Sequence, residues 1–428
     1  MRMRTDSSSV IDIVGVGFGP SNLGLAIAIE EHNREASPED RITAAFVESK
    51  PRFAWHPGML LPGTTMQISF LKDLVTQRNA TSEFSFLNYL ADRGRMAHFI
   101  NHQTFFPTRR EFSDYLEWAD EKAGADVYYS TRAEAIRDGD GHLVIDALGP
   151  SGPISLYARN VVVAGGLREA LPAGVTASTR QFHNHRLLDH LAAMPTPTQN
   201  RFLVVGAGQS AAEVVEYLHA TYPQAQVHNV FAKYGYVPAD DSPYANRIFD
   251  ATAVDEFHAA DERQRAALLD YHKATNYSCV DLDLIRELYR REYAEHVDGE
   301  RRLFMRGASR VASVDEDANS VRVLVENLLT GETEQLAVDA VVYATGFTPT
   351  DLSELLGDLV EPGELTDGVG RDYRVTTTRP LSGAVYTQGG TERTHGLTSS
   401  LLSNIAIRSG EILQSVVAAR AVSYSYSA

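Results

Sequence analysis

The chain has 428 residues, which is long for a single simple core and suits two or three domains. It sets 39 Lys plus Arg against 56 Asp plus Glu, a net charge of −17, so its surface repels phosphate backbones and nucleic acid is a poor partner. Its one cysteine, Cys279, excludes an internal disulfide and a CxxC redox pair, which fits a reducing compartment.

Taken in chain order, the residues first predict a strand over 10–16, a glycine-rich turn, a helix over 21–31 and a strand over 42–47 ending at Glu48. Strand, turn, helix and strand in that order begin a doubly wound α/β fold. Residues 51–80 hold Pro51, Pro57, Gly58, Pro62 and Gly63 and read as a long loop, of the kind that is usually functional. Helices are predicted over 84–93 and 111–123, and short strands and turns over 128–164. A second strand, turn and helix occupy 201–220, followed by a strand over 226–231. Helices over 254–274 and 282–296, strands over 321–325 and 338–343, and a last helix over 401–420 complete the chain, with a disordered tail expected past Ala421. No apolar run is long enough to span a membrane, and residues 1–9 lack the apolar region of a secretory signal, so a cytoplasmic protein is expected.

The first glycine loop reads Gly15-Val16-Gly17-Phe18-Gly19-Pro20-Ser21-Asn22, a GxGxxN at Gly17, Gly19 and Asn22. Such a loop turns tightly, lets backbone approach a pyrophosphate and aims a helix N-terminus at it. Glu48 stands where an acid bonds the hydroxyls of an unphosphorylated ribose, as in FAD or NAD. The second loop, Gly206-Ala207-Gly208-Gln209-Ser210-Ala211, is a GxGxxA with no acid on its next strand; Lys233 follows instead. A cation there suits the 2′-phosphate of NADPH, although Lys233 also reads as an ordinary surface lysine. The predicted architecture is α/β, with two Rossmann-like dinucleotide-binding domains and a smaller helical substrate-binding region. The FAD domain would take residues 1–168 and 336–428, the NADPH domain 169–335, and 236–300 the substrate region. Apolar strands ending at Gly166 and at Thr345-Gly346 fit the two crossovers.

Over roughly residues 10–415 the chain resembles the class B flavin monooxygenases that N-hydroxylate amino acid side-chain amines for siderophores. The nearest likeness is to L-ornithine N5-monooxygenases, then to L-lysine N6 enzymes. Besides the two loops, the likeness rests on Trp55-His56-Pro57-Gly58-Met59, Met66 through Leu74, Phe84 through Leu90, Asp240 through Asn246, Thr275-Asn276-Tyr277-Ser278, Ala344-Thr345-Gly346-Phe347 and Leu401-Leu402-Ser403. The resemblance implies FAD and NADPH as cofactors, with ornithine or lysine and O2 as substrates. It implies a C4a-hydroperoxyflavin that oxygenates the amine, and a homodimer or homotetramer. It places Met66, Gln67, Trp55 and His56 by the isoalloxazine, Arg109 by the flavin or nicotinamide, and Lys72 on the substrate α-carboxylate. Asn246 and Asn276 would hold the α-amino and carboxylate groups. Ser403 and the Leu402 backbone would lie by the reacting amine, and Tyr277 in the same cavity. Gln67, Asn276 and Ser403 are thus the candidates nearest the chemistry.

The residues themselves leave alternatives open. Lys72, in an apolar stretch, needs an anion, which Asp73 or another acid could supply instead of a substrate. Asn246 and Asn276 fit turns or caps, and Ser403 a helix start. Thr398-Ser399-Ser400 replaces an acid-containing Gly-Leu-Ser-Asp common in ornithine enzymes. A Baeyer–Villiger or sulfide monooxygenase would carry an F-x-G-x-x-x-H segment, which Gln181 through Arg186 lacks. A diamine hydroxylase would have no use for Lys72, and a regulatory flavoprotein no use for a substrate site. No metal site is predicted, because His183 and His185 have no completing ligands in sequence.

Overall fold

Two mainly parallel sheets, each opening on a glycine loop, organise the chain. The computed structural model describes residues 9–194, 201–276, 278–361 and 368–427. In the first sheet the strands run in the order Val127–Tyr128, Ala44–Val47, Val10–Val16, Gly152–Val163, Leu143–Gly149 and Arg132–Asp138, with Ala384–Thr387 also paired to Gly152–Val163. The strand Gly152–Val163 has two halves. Its C-terminal half pairs in parallel with Val10–Val16 and Ala384–Thr387, and its N-terminal half pairs antiparallel with Leu143–Gly149. The strand Val10–Val16 is buried at every position after Val10, as its unbroken apolar run demands of a central parallel strand. The first loop helix, Pro20–Glu35, and the C-terminal helix, Ile405–Ser427, pack on each other beside this sheet.

The second sheet is wholly parallel, in the order Leu303–Arg306, Gln226–Val230, Arg201–Val205, Ala340–Tyr343 and Gln181–His183. An antiparallel three-stranded sheet, Ser309–Glu316, Val321–Asn327 and Thr333–Val338, sits beside it. The two crossovers lie side by side as an antiparallel ribbon of Leu167–Glu169 and Phe347–Pro349. This corrects the expected return at residue 336. Ala340–Tyr343 still pairs with Arg201–Val205 and Gln181–His183, all four of its side chains buried, and the chain leaves that sheet at Phe347.

Two other departures have local causes. The helix expected over 254–274 is two helices, Ala253–Ala259 and Glu262–Asn276. Asp261 starts the second by a capping box: its Oδ1 accepts the Gln264 N–H at 2.8 Å, and its own N–H donates to Gln264 Oε1 at 3.3 Å. The tail past 421 continues the last helix to Ser427. Arg420 anchors that helix by donating to the carbonyls of Arg41 and Glu39, both at 2.8 Å. No helix among the described residues is long and apolar enough to cross a membrane.

Candidate active site

In the first loop, Gly17 adopts φ +83°, and a Cβ there would lie 2.4 Å from the Ala164 carbonyl oxygen. Gly206 repeats the geometry in the second unit, with φ +141° and 2.4 Å to the Ala344 oxygen. Both loops are therefore wedged against the end of the neighbouring strand. Gly19 and Gly208 occupy the N-cap positions and offer no side-chain cap, so the first-turn amides of both helices stay available to an anion. A Cβ at Gly19 would meet nothing within 4 Å, which leaves room for phosphates over Pro20. These features fit a dinucleotide at each loop.

Other expected loop ligands support the loop from below. Gly15 lies within the strand under Phe46. Asn22 is fully buried; its Nδ2 donates to the Gly17 carbonyl at 2.7 Å, and its Oδ1 accepts from Gln388 at 2.9 Å. That corrects its assignment to the cofactor, since its amide is committed to backbone. Glu48 is buried, and its Oε2 accepts the Phe18 N–H at 2.7 Å, tying the second strand to the loop. Thr345 donates its hydroxyl to the Ala170 carbonyl, and the Gly346 carbonyl accepts from His183 Nε2 at 2.8 Å. Both residues thus close the return crossover.

Beside the second loop opens a cavity of about 900 Å³, lined among others by Gly206, Ala207, Lys233, Ser278 and Arg310. Lys233 Nζ donates to the Ser278 carbonyl at 2.6 Å. Arg310, which the sequence did not single out, adds a second cation to this wall and pairs with Glu326 at 2.8 Å. Gln209 and Ser210 form the first turn of the helix below. A 2′-phosphate here would gain a charge-assisted bond from Lys233. Lys233→Ala is therefore expected to raise KM for NADPH by about tenfold or more and to leave KM for NADH nearly unchanged. Parallel initial-rate curves with the two nucleotides check this, and an equal change in both would remove Lys233 from the phosphate.

On the first unit's side, Met66 is buried, Trp55 and His56 are half-buried, and Gln67 is exposed. The Trp55 ring lies 5.0 Å from His56 and 5.9 Å from Phe112, edge to face. His56 sits in a left-handed turn at φ 45°, and its Nδ1 lies 3.2 Å from His185 Nδ1, so one of the two imidazoles donates to the other. Burial, then His185, Arg109 and Lys50, push the His56 pKa down to about 3. Burial likewise brings His228 and His395 down to about 4. An unfolded histidine takes its proton near pH ~6.5. Below that pH the unfolded chain binds more protons than the fold, so stability is lost as pH falls toward 4. The expected loss is about 2 kcal/mol for each of the three by pH 5. Thermal melts from pH 8 to 5 check it; a flat Tm below pH 6.5 would contradict it.

At the substrate end, Asp73 is not the partner of Lys72. Its buried carboxylate accepts N–H groups of Val75, Thr76 and Phe86 at 3.0, 2.6 and 2.8 Å, plus the Thr76 hydroxyl at 2.9 Å. Among the described residues half-buried Lys72 has no carboxylate partner. Asn246 is exposed in the turn Ala245–Phe249; its Nδ2 donates to the Asp241 carbonyl at 2.9 Å. The turn reading therefore holds for its amide N–H. That turn packs against Leu397–Ser400, where Thr398 donates to the Phe249 carbonyl at 3.2 Å. Asn276 ends the helix Glu262–Asn276, and Tyr277 lies outside the described residues. Leu402 is half-buried, and Ser403 Oγ is buried with no partner among the described residues. Ser403 lies in the short turn Leu402–Asn404 that leads into the last helix at Ile405, but its hydroxyl makes no capping bond. The departure at 398–399 also has an answer. Thr398 bonds Phe249, and the Ser399 hydroxyl donates to the Gly396 carbonyl at 2.8 Å while accepting from Thr391 at 3.0 Å. Both hydroxyls serve the fold.

Arg109 joins the two units. It binds Glu213 of the second unit through two bonds, at 2.7 and 2.8 Å. Sequence reasoning passed over Glu213, although an acid inside the run Ala211-Ala212-Glu213-Val214-Val215 signals a buried partner.

The family model for L-lysine 6-monooxygenase/L-ornithine 5-monooxygenase matches residues 9–349. The L-ornithine N(5)-monooxygenase of Burkholderia cepacia is 37% identical over 410 residues, spanning 91% of this chain and 90% of its own. The solved ornithine N-hydroxylase of Kutzneria sp. 744, with reduced FAD, NADP+ and L-ornithine, superposes with a TM-score of 0.91 at 45% identity, over 96% of this chain and 100% of that one. The L-lysine 6-monooxygenase of Pseudomonas syringae gives a TM-score of 0.81 at 31% identity, over 95% and 99%. With its two glycine loops, their wedged turns and this end-to-end likeness, the chain belongs to the L-lysine 6-monooxygenase/L-ornithine 5-monooxygenase family.

Proposed function

We propose that this chain is an FAD- and NADPH-dependent monooxygenase that hydroxylates the side-chain amine of L-ornithine. The observation that carries the reading is Lys72, a half-buried cation whose neighbouring acid is fully engaged elsewhere. It offers a carboxylate site on a chain built throughout like the ornithine hydroxylase of Kutzneria. The first loop, braced by Glu48 at the Phe18 amide, holds FAD, and the second loop with Lys233 and Arg310 holds NADPH. When bound, the flavin would carry nicotinamide electrons to dioxygen, one atom of which goes to the amine while the other leaves as water.

The chain's own residues position the amino acid. Lys72 pairs with the α-carboxylate, and Asn246 and Asn276 hold the same end of the amino acid. Ser403 Oγ and the Leu402 backbone receive the far amine. That amine must shed a proton whose ordinary pKa is about 10.4, and burial beside apolar Met66 and Leu402 lowers it. His56 stays uncharged at neutral pH and adds no cation to this end of the site. Ornithine and lysine differ by one methylene, worth about 1–3 kcal/mol in a pocket. The greater likeness to the ornithine enzyme supports ornithine as substrate, and siderophore or related hydroxamate synthesis as the use of its product. A cytoplasmic homo-oligomer completes the reading, with light scattering as its test.

The experiment is a product assay. The FAD-loaded protein is given NADPH, air and, separately, ornithine, lysine or putrescine. Hydroxylamine is expected with ornithine in near-equal amount to the NADPH consumed. NADPH oxidation without hydroxylamine from any of the three would overturn the reading.

A further inference from the structure

Glu213 stands on the inner face of the second loop helix, flanked by Ala211, Ala212, Val214 and Val215, all fully buried, and is itself only 4% exposed. A carboxylate at that depth is costly unless it is well paired. Its partner comes from the other unit: Arg109 donates Nη1 to Oε2 at 2.7 Å and Nη2 to Oε1 at 2.8 Å. This fork-to-fork pair fixes an angle as well as a distance.

The bonds continue in both directions. Gln209, one turn earlier on the same helix, donates to Glu213 Oε1 at 3.0 Å, and its own Oε1 accepts the Asp281 N–H at 2.8 Å. Asp281 closes the segment that begins at Asn276, and Val280 before it bridges to Pro238. On the other side, the Arg109 N–H donates to the Thr64 carbonyl at 2.9 Å, and Thr65 bridges to Thr108. Met66 and Gln67 follow directly. One continuous path therefore joins the Met66–Gln67 loop, the helix under the second nucleotide and the substrate segment, with Glu213 as the joint where the two units meet.

We propose that Glu213 is a positioning residue for hydride transfer: it registers the second loop helix against Arg109, and so sets how the nicotinamide is presented to the flavin. This rests on the reading of the two loops as FAD and NADPH sites. Loss of the carboxylate leaves the Arg109 guanidinium without its anion and frees the helix from the Met66–Gln67 loop. A purely structural cement would alter melting and FAD retention, whereas a positioning residue alters the rate at saturating nucleotide.

The test uses the full-length, FAD-loaded protein and its Glu213→Gln and Glu213→Asp variants. Bleaching of the flavin absorbance by saturating NADPH is timed without oxygen, and hydroxylamine per NADPH is then measured in air. Glu213→Gln is expected to slow bleaching about tenfold and to lower the hydroxylamine yield, and Glu213→Asp, which keeps the charge, to recover much of the rate. A wild-type bleaching rate in Glu213→Gln would overturn the proposal, whatever its Tm. Should that variant not retain FAD, Arg109→Lys keeps a single contact and takes its place, with an unchanged rate again overturning the idea. A wild-type protein that bleaches normally but makes no hydroxylamine would instead sink the substrate reading and leave this one standing.

Discussion

Replacing Lys72 by alanine is expected to raise the KM for ornithine by about a hundredfold while FAD stays bound and NADPH is still oxidised. Truncating one partner of a desolvated, hydrogen-bonded charge pair costs roughly 2–5 kcal/mol, and about 2.7 kcal/mol is a hundredfold. The structure makes this a clean test. Among the described residues Lys72 pairs with no acid, and Asp73 serves the backbone of Val75, Thr76 and Phe86. The substitution therefore leaves no orphaned carboxylate, and the aromatic core around Phe86, Tyr89 and Phe112 keeps its anchor. Steady-state hydroxylamine assays over a wide ornithine range give the answer. An unchanged KM would take Lys72 out of the site, and with it the observation on which the substrate reading stands.

The second large effect is expected at Gly17, and its contrast with Gly19 gives it meaning. Gly17→Ala forces a side chain into φ +83° and places Cβ 2.4 Å from the Ala164 oxygen. That oxygen cannot retreat, since the Ala164 N–H donates to the Val16 carbonyl at 2.8 Å within the sheet. A loss of about 3 kcal/mol or more of stability is expected even in the FAD-free protein, from strain and overlap together. Gly19→Ala meets open space at an ordinary φ of −92°. Its methyl intrudes only where the phosphates of FAD are proposed to lie, so FAD affinity should fall while the FAD-free melting temperature holds. Melting curves of the FAD-free proteins, with fluorescence titration of FAD, separate the two. Equal melting temperatures for both variants would contradict the wedge at Gly17.

The glycine loops were legible because their information is local. A strand, a turn and a helix lie within a few residues, and the same backbone requirement appears at Gly17 and Gly206. Supporting roles were less legible. Asn22 stands in the motif at a position that suggests a ligand, yet it bonds Gly17 from beneath. Ser403 and Asp73 were each open to two readings until burial and partners were known. Burial left the Ser403 hydroxyl without a partner among the described residues and committed the Asp73 carboxylate.

From the sequence alone came the α/β class and the two glycine loops in their order, since each depends on residues close together in the chain. Tertiary structure decided which sheet takes Ala340–Tyr343, which group faces His56 and which acid holds Arg109. Those outcomes join positions far apart, 104 residues in the case of Arg109 and Glu213, and a linear pattern carries no distance between such residues until the sheets bring them together.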